Sequence, residues 1–420
     1  MGLVAISHKR FLIAAFAALV SSRCVWALTW EDAVHEAAQR NPDLAAERAA
    51  VEQAQANYKA TLAPFMPTLN GSLSVQRTDA EHTSPVDLYD STLEGRYNLF
   101  NGLADTATRA QSRAALDQAV AQYRDIASDI SQQVKSAFAR LLYAQNQLSL
   151  SLTILDRRRE NLRLVQLRYE GGDENKGSYL RTKADFDSAL FDVNQSSRTL
   201  RGAQREMNRA MGRPGYDVLV ASGPLQTQSM GTLPNFDALA LQTPGYREIE
   251  AQRVSAESGV TLARAGFIPA VDASALGART ASTWPPDRDR WAVGATVSIP
   301  IFSGGSTLQN VKRAQAARRQ ATFTQTSTQE LIARQLEDAY TAYLNALENV
   351  TAQNEYVIAA EVRAQIARGQ YANGLSSFFD WDSQESELIS RQKSQLAAFR
   401  DALLAEAVWE NTLGTGAIQP

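Results

Sequence analysis

The stretch "SAFARLLYAQNQLSLSLTIL" (Ser136–Leu155) lies within a long segment that contains no helix-breaking residue. Neither glycine nor proline occurs from Leu103 to Glu170, and apolar residues recur there with a mean spacing of 3.6 between positions 119 and 155. That spacing is the period of an amphipathic α-helix. At about 1.5 Å per residue, the segment predicts a helix roughly 100 Å long, which is longer than a compact globular domain requires.

A second segment of the same kind follows in the other half of the chain. From Ser306 to Arg368 the sequence again lacks glycine and proline, and "DAYTAYLNAL" (Asp338–Leu347) stands 202 residues after "SAFARLLYAQ". The same offset joins residues that punctuate secondary structure: Pro42 with Pro244, Phe65 with Phe267, Pro67 with Pro269, Phe100 with Phe302, Gly102 with Gly304, Tyr169 with Tyr371, Gly172 with Gly374, and Gly212 with Gly414. One constant offset along the whole chain predicts two copies of one structural unit.

Each copy is predicted to contain a helical hairpin. We expect a first repeat at 28–212, a linker rich in Gly, Pro and Ser at 213–234, a second repeat at 235–414 and a tail at 415–420. The predicted helices of the hairpins are the long helices, 102–169 and 304–370, and the return helices, 178–212 and 376–413. A glycine-bearing turn separates the two helices of each hairpin.

The first of these turns, "RYEGGDENKGSYLR" (Arg168–Arg181), contains glycines, a lysine and a serine. A phosphate-binding loop needs the lysine directly after a glycine at fixed spacing, and here Lys176 precedes Gly177. The corresponding turn of the second repeat, "QYANGLSSFFDWD", has no such lysine. We therefore interpret both segments as hairpin tips rather than nucleotide sites.

The segments before the long helices alternate apolar and polar residues with a period of two, which predicts β-strands. The predicted strands are "TLNGSLSVQR" (about 68–77), "YDSTLEGRYNLF" (about 89–100), "AVDASALGART" (about 270–280) and "RWAVGATVSIPIF" (about 290–302). About ten residues per strand suits a tilted strand that crosses a bilayer. A water-soluble sheet with one buried face would show the same alternation.

The N-terminus has the features of a secretory signal peptide at residues 1–27. Lys9 and Arg10 precede the apolar run "FLIAAFAALV", and Val25 and Ala27 supply small residues before a cleavage site. The run is too short to span a membrane as a helix. We therefore expect the mature chain to leave the cytoplasm.

Cys24 is the only cysteine of the chain and lies in the predicted signal peptide. Arg23 before it does not suit a lipidation site, and without Cys24 the mature chain has no disulfide. Removing Lys9, Arg10 and Arg23 takes the formal charge from −3 to −6. An acidic chain is a poor nucleic-acid binder, and we expect no nucleic-acid partner.

No arrangement of residues supports catalysis, a metal or a cofactor. Glu31 and His35 are four residues apart on one predicted helix face, but they have no further ligands nearby, and His82 is distant. The run "RRRENLR" (Arg157–Arg163) is predicted to be a solvated face or a source of inter-helix ion pairs. We expect neither an enzyme nor a cofactor.

Membrane physics limits how such a chain could assemble. A chain without a long apolar helix can span a membrane only as a closed β-barrel, and four strands cannot close one. Three copies would supply twelve strands. The long amphipathic helices would likewise need other long helices to cover their apolar stripes.

The sequence resembles the TolC-like outer membrane efflux protein family from Leu28 to Gly414. The likeness rests on the opening "LTWEDAVHEAAQRNPDL", the strand-to-helix junctions "YNLFNG" and "IPIFSGG", and the tips "RYEGG" and "QYANG" with "FFDWD". The resemblance implies an α+β fold of long helices in a trimeric α-helical barrel, with four strands per protomer in a shared 12-stranded transmembrane β-barrel. The β-barrel would lie in the outer membrane, and the helical barrel in the periplasm.

The resemblance also implies partners and a function. The homotrimer would contact outer membrane lipids, a periplasmic adaptor and an inner-membrane transporter of RND, ABC or MFS type. It would export drugs or toxic compounds, with type I protein secretion as the less favoured cargo. The alternative is a secreted or periplasmic coiled-coil scaffold without a channel.

The family closes its periplasmic end with aspartates and a tyrosine contact, which the resemblance carries to four positions. Asp380 falls where the first gate aspartate belongs, and Asp382 or the adjacent Ser383 lies near the second. Tyr371 matches the tyrosine of the closing contact, whose carboxylate partner is replaced by Ser178 and whose arginine is replaced by Ser376. The lock is therefore expected to be weaker or differently built. Asp380 and Asp382 would equally suit a helix N-terminus.

In the family, the adaptor docks in grooves near the two tips. This places candidate docking positions at Gly171, Gly172, Asn373 and Gly374. A glycine at such a position also serves simply to permit the turn.

Overall fold

A computed structural model describes residues 27–79, 85–223 and 233–418. Residues 1–26, which include Cys24 and most of the predicted signal peptide, lie outside the described residues. His82 also lies outside them.

Helices dominate the described chain and correspond in pairs across the two repeats. The first repeat contains α1 (Trp30–Arg40), α2 (Pro42–Ala60), α3 (Ala104–Gly171) and α4 (Lys176–Ala210). The second repeat contains α5 (Phe236–Ala240), α6 (Pro244–Ala265), α7 (Ser306–Ala372) and α8 (Phe378–Leu413). The 68 residues of α3 and 67 of α7 make each helix about 100 Å long, as predicted.

The helices form a layer in which α3 is central. Helix α3 packs against α2, α4, α6 and α8, while α7 packs against α6 and α8. Hydrogen bonds join Gln122 of α3 to Glu248 of α6, and Ser151 of α3 to Ser196 of α4. Along the described parts of the chain, no helix has the length and apolar character needed to cross a membrane.

Four strands form one antiparallel sheet: β2 (Thr68–Thr78), β3 (Val86–Asn101), β5 (Ala270–Ala281) and β6 (Arg288–Ser298). They lie side by side in that order. The prediction that the last strand continues to residue 302 is wrong. Pro300 follows shortly after the observed end, and a proline has no N–H to donate to a sheet.

The two faces of the sheet differ in polarity, as the alternation predicts. The register aligns one row of exposed large side chains, which we call the apolar face: Leu69, Leu73, Val75, Leu93, Tyr97, Trp291, Val293 and Val297. The opposite, polar face carries mostly short hydroxyl, amide and charged side chains, such as Asn70, Ser72, Thr92 and Glu94. Both outermost strands, β2 and β6, are exposed along their full length.

A second, two-stranded sheet was not predicted. Strand β1 (Ala27–Leu28) pairs in parallel with β4 (Val220–Ala221), which lies in the segment predicted to be a linker. The side-chain amide of Gln145 on α3 donates to the Ala221 carbonyl (3.0 Å) and accepts from its N–H (2.8 Å). This part of the linker therefore packs against the helices instead of running free.

The main core lies around the middle of α3, next to this small sheet. Buried residues of α3 between Tyr123 and Ala144 pack with Leu219 and Ala221 of the linker and with Ile418 of the C-terminal tail. The Ile418 N–H donates to the Ser131 hydroxyl (2.9 Å). The beginning, middle and end of the described chain thus meet at one level of the helical layer.

The junction between sheet and helix layer gives a first prediction. Gly102 has φ +67°, and a Cβ there would lie 2.7 Å from the Ile268 Cβ and 3.0 Å from the Ala265 carbonyl oxygen. Left-handed backbone costs about 1–2 kcal/mol for a residue with a Cβ, and overpacking adds about 1–3 kcal/mol. We expect Gly102→Ala to lower the free energy of unfolding by both amounts, measured by urea denaturation in detergent.

Gly172→Ala is the matched control. Gly172 has φ +84°, but no atom lies within 4 Å of the place that a Cβ would occupy, so only the backbone cost applies there. If both variants lose the same free energy of unfolding, the contact with Ile268 is not rigid.

Candidate functional site

The two hairpin tips repeat one aromatic arrangement. Tyr169 stacks on Tyr179 with ring centroids 5.5 Å apart, and Tyr371 stacks on Trp381 at 4.5 Å. Each member of the second pair lies 202 residues after its counterpart in the first. Both pairs tie the end of a long helix to the start of its return helix.

Two charged residues of the first tip hold the tyrosine of the second. The Tyr371 hydroxyl donates to the Glu174 carboxylate at 2.8 Å. The Arg168 guanidinium lies 4.6 Å from the centre of the Tyr371 ring and donates to the Tyr371 carbonyl. Tyr371 itself is 1% exposed. These contacts bind the two hairpins to each other, and we call Arg168, Glu174 and Tyr371 the tip lock.

Within the protomer the contact of Tyr371 is built differently from the one that the resemblance describes. The carboxylate is Glu174, four residues before Ser178, and the cation is Arg168 instead of a residue at position 376. Ser178 is buried and hydrogen-bonds with Asn175, which caps α4. Its role is to order the turn that presents Glu174.

The protonation states suit this lock. Partial burial raises the pKa of Glu174, but hydrogen bonds from Asn175, Tyr371 and Ser178 and the charge of Arg168 outweigh burial, so its pKa lies below the ordinary 4.5. Burial and the Glu174 carboxylate raise the pKa of the Tyr371 phenol. At neutral pH the phenol is therefore a donor and the carboxylate an acceptor.

Asp380 lies at the start of α8, where it takes part in the helix cap. The Ser377 hydroxyl donates to the Asp380 carboxylate (2.6 Å) and accepts from the Asp380 N–H (3.2 Å). The Asp380 side chain is exposed. Capping is thus the role visible within one protomer, and a gate role at a threefold axis stays a prediction.

Asp382 instead belongs to an ion cluster between three helices. Arg158 on α3 lies 3.4 Å from Asp382 on α8 and 3.7 Å from Asp185 on α4. Arg181 lies 3.4 Å from Asp185 and 3.9 Å from Asp382. The Arg158 side chain is only 9% exposed, so this cluster holds α8 against the first hairpin. Both interpretations of the arginine run therefore apply: Arg158 makes inter-helix ion pairs, whereas Arg159 is exposed and pairs with Asp156 on its own helix.

Sequence reasoning did not find the polar groups buried beside this cluster. Asn161 is 1% exposed and Glu385 3% exposed. Among the described residues, both amide atoms of the Asn161 side chain, one carboxylate oxygen of Glu385 and the indole N–H of Trp381 have no hydrogen-bond partner. Their helical positions gave no signal, because polar residues in a long helix are usually on the solvated side.

The candidate docking residues lie at the exposed ends of the hairpins. Gly172 and Gly374 have φ +84° and +74°, so both turns need a residue that tolerates left-handed backbone. Gly171 ends α3, and the Asn373 side chain donates to the Gly369 carbonyl at 2.8 Å. Glycine freedom explains two of the four positions, and adaptor binding at any of them stays a prediction.

The histidine considered as a metal ligand has another contact. The His35 ring is 2.8 Å from the Gln39 amide. Within residues 27–79, 85–223 and 233–418, no cluster of three potential metal-ligating side chains occurs.

Comparisons with known proteins agree with this architecture. Residues 33–213 and 237–415 each match the sequence profile of the outer membrane efflux protein family. The probable outer membrane lipoprotein SilC of Salmonella typhimurium is 24% identical over 387 residues, which covers 86% of this chain and 80% of that protein. The toluene efflux pump outer membrane protein TtgI of Pseudomonas putida is 24% identical over 402 residues, covering 90% and 84%.

Solved structures share the fold. The open state of the MtrE outer membrane channel of Neisseria gonorrhoeae superposes with a TM-score of 0.82 at 19% identity, over 93% of this chain and 91% of that one.

The tip lock predicts a defined pH dependence. Because the pKa of Glu174 is depressed in the folded state, its contribution to stability is complete above pH 4.5 and is lost as pH falls through the lower, folded pKa. We expect amide protection at residues 171–178, corrected for intrinsic exchange rates, to decrease in that acidic window. Hydrogen exchange followed by mass spectrometry measures this.

Glu174→Gln provides the comparison. The amide cannot titrate, so the variant should show weaker protection at neutral pH and no further loss attributable to this site in acid. An identical acid profile in wild type and variant would assign the transition to another carboxyl group.

Proposed function

Because the chain belongs to the outer membrane efflux protein family, we propose that three copies of it form an efflux channel-tunnel through the periplasm and outer membrane. A periplasmic adaptor and an inner-membrane transporter would deliver the solutes. The shared β-barrel would cross the membrane, and the helical layer would enclose the periplasmic part of the conduit.

The observation that carries this proposal is the open four-stranded sheet. Its apolar face exposes side chains such as Leu73 and Trp291, which are 72% and 79% exposed. Its outermost strands, β2 and β6, each have one free edge in the sheet. In lipid every backbone polar group must be paired, so closure with strands of other copies satisfies both edges at once.

The helical layer supports the same assembly. Its lateral helices carry apolar side chains that are more than half exposed, among them Phe191 on α4 and Phe323, Ile358 and Val362 on α7. A single protomer leaves these side chains in water. Neighbouring copies placed side by side would cover them, as the shared barrel requires.

We place the gate of the conduit at the tips. The tip lock and the ion cluster around Arg158 both hold the second hairpin against the first. Breaking these contacts would free α8 and the end of α7 to move away from the threefold axis of the proposed trimer. While the tips are closed, Asp380, exposed at the start of α8, would contribute negative charge at the narrow end.

The channel proposal predicts a conductance change on opening the gate. A hydrogen-bonded charge contributes about 2 kcal/mol, so Asp382→Asn should raise the open fraction by about tenfold or more. Wild-type protein in a planar bilayer should show a small, cation-preferring conductance, and Asp382→Asn a larger one. Asp380→Asn should reduce the cation preference.

Asp156→Asn is the matched control, because Asp156 is 69% exposed and pairs with Arg159 on its own helix. It should conduct like wild type. Recovery of the wild-type protein from the soluble periplasmic fraction, without conductance, would favour the scaffold function instead.

If the adaptor docks at the tips, a larger side chain there should impair efflux without impairing the folding of the protomer. Gly171 is exposed, and a Cβ there would approach only the Asp173 carboxylate, at 3.9 Å, so the first atom of a new side chain meets no close neighbour in the protomer. We expect Gly171→Leu to abolish the drug tolerance that the chain confers on cells carrying its adaptor and transporter, because it would obstruct the docking groove.

Gly202→Leu is the control, since Gly202 is an exposed glycine of α4 with open space around it, far from the tips. Both variants are first compared with wild type for trimer assembly on native gels. Full tolerance in Gly171→Leu cells would exclude this position from the docking groove.

A further inference from the structure

Two arginines on β6 stand out in the charge pattern of the sheet. The register aligns Arg290 with Ala278 and Arg288 with Thr280 on the polar face. Trp291, the residue after Arg290, belongs to the apolar face. Both arginines are exposed. If the apolar face meets lipid, these two guanidinium groups point into the enclosed lumen.

The other arginines of the sheet are neutralised by a nearby carboxylate. The pairs are Arg279 with Asp289 (2.7 Å) and Arg77 with Asp87 (3.9 Å) on the apolar face, and Arg96 with Glu94 (2.6 Å) on the polar face. Among the described residues, no carboxylate lies within ion-pair distance of Arg288 or Arg290. The two arginines therefore keep a net positive charge where the others do not.

The surroundings of Arg290 contain no compensating charge. At its height the register places Ala278 on β5, Thr92 on β3 and Ser72 on β2, all short and uncharged. This arrangement leaves room for the long arginine side chain and no local acid to hold it.

Acidic side chains on the same face lie farther away. Asp90 shares the height of Arg288 but stands two strands away, about 10 Å at the usual strand spacing. Glu94, two residues after Thr92 on β3, already pairs with Arg96. Asp272 lies nearer the helical end of the sheet, opposite Thr296. Positive charge thus dominates around Arg290.

We propose that Arg290, supported by Arg288, forms a positively charged collar inside the exit barrel that favours anionic solutes over cationic ones. This inference rests on the proposed trimer, in which threefold symmetry places three copies of the pair at one height. It names the solute class that the membrane section of the conduit prefers.

The collar acts over the scale of the lumen. The Debye length is about 8 Å at physiological salt, so charges on the wall of a twelve-stranded barrel reach much of its cross-section. Low-dielectric walls strengthen such a field, and high salt weakens it. The preference should therefore be strong in dilute salt and small at about 1 M.

Reversal potentials of the full chain in planar bilayers under a KCl gradient test the collar. Measurements are made in the Asp382→Asn background, so that an open tip leaves the barrel to determine selectivity. We expect Arg290→Gln, and more strongly Arg288→Gln with Arg290→Gln, to shift selectivity toward cations in dilute KCl. The shift should correspond to a roughly fivefold change in the anion-to-cation permeability ratio.

The matched control removes the paired charges of the apolar face, Arg279→Gln with Asp289→Asn. These side chains face away from the lumen, so selectivity should equal that of the parent. A shift as large in this control as in the collar variants would overturn the assignment of faces.

A second measurement reports the local potential without ion flow. Ala292→Cys introduces a thiol on the polar face, next to Arg290 along β6. The thiol reacts separately with a sulfonate and with a trimethylammonium methanethiosulfonate. The ratio of the first rate to the second should fall several-fold when Arg290→Gln is added.

The outcomes separate the two proposals. If the protein conducts but Arg290→Gln changes neither the ion selectivity nor the ratio of thiol reaction rates, the collar proposal is overturned and the channel proposal stands. Membrane-inserted protein without any conductance would instead overturn the proposed channel, and the collar with it.

Discussion

The unpaired edges of the four-stranded sheet are the constraint on which the rest of the molecule depends. Strands β2 and β6 offer backbone N–H and C=O groups along their length, and in lipid each unpaired group costs several kcal/mol. The strands lead directly into the long helices, since β3 ends at Asn101 and α3 begins at Ala104. Whatever closes the sheet therefore also decides which helices become neighbours below it.

The two repeats share a scaffold and differ where they meet. Aromatic stacks and tip glycines correspond at the offset of 202, but the charged members of the tip lock do not. The counterparts of Arg168 and Glu174 are Gln370 and Ser376. Because only the first repeat carries these two charged residues, they make a contact with the second hairpin. If both repeats carried them, each hairpin could form the same contact within itself. The charges that differ between the repeats thus link the two hairpins at their ends.

The elements that depend on a periodic sequence pattern could be predicted, whereas contacts made by single side chains could not. Long helices and alternating strands repeat one physical rule over many residues, so their positions were predicted to within a few residues. The strand β4 was missed because the Gln145 amide completes its hydrogen bonds, and a single glutamine in a helix carries no such signal. Glu174 was missed because the turn before α4 places its carboxylate on Tyr371 from a position four residues before the one that the resemblance indicates.

The distribution of buried polar groups differs between the middle of the helical layer and the tips. In the middle of α3 the core is made of apolar residues such as Val134 and Leu141, which are fully buried. Most of the buried side-chain atoms without a hydrogen-bond partner in the described chain instead lie near the tips, including those of Asn161 and Glu385. Unpaired buried groups reduce the stability of the packing that contains them. Rearrangement that hydrates or pairs them costs less there than disruption of the apolar middle, so the proposed opening of the tips would leave the rest of the layer intact.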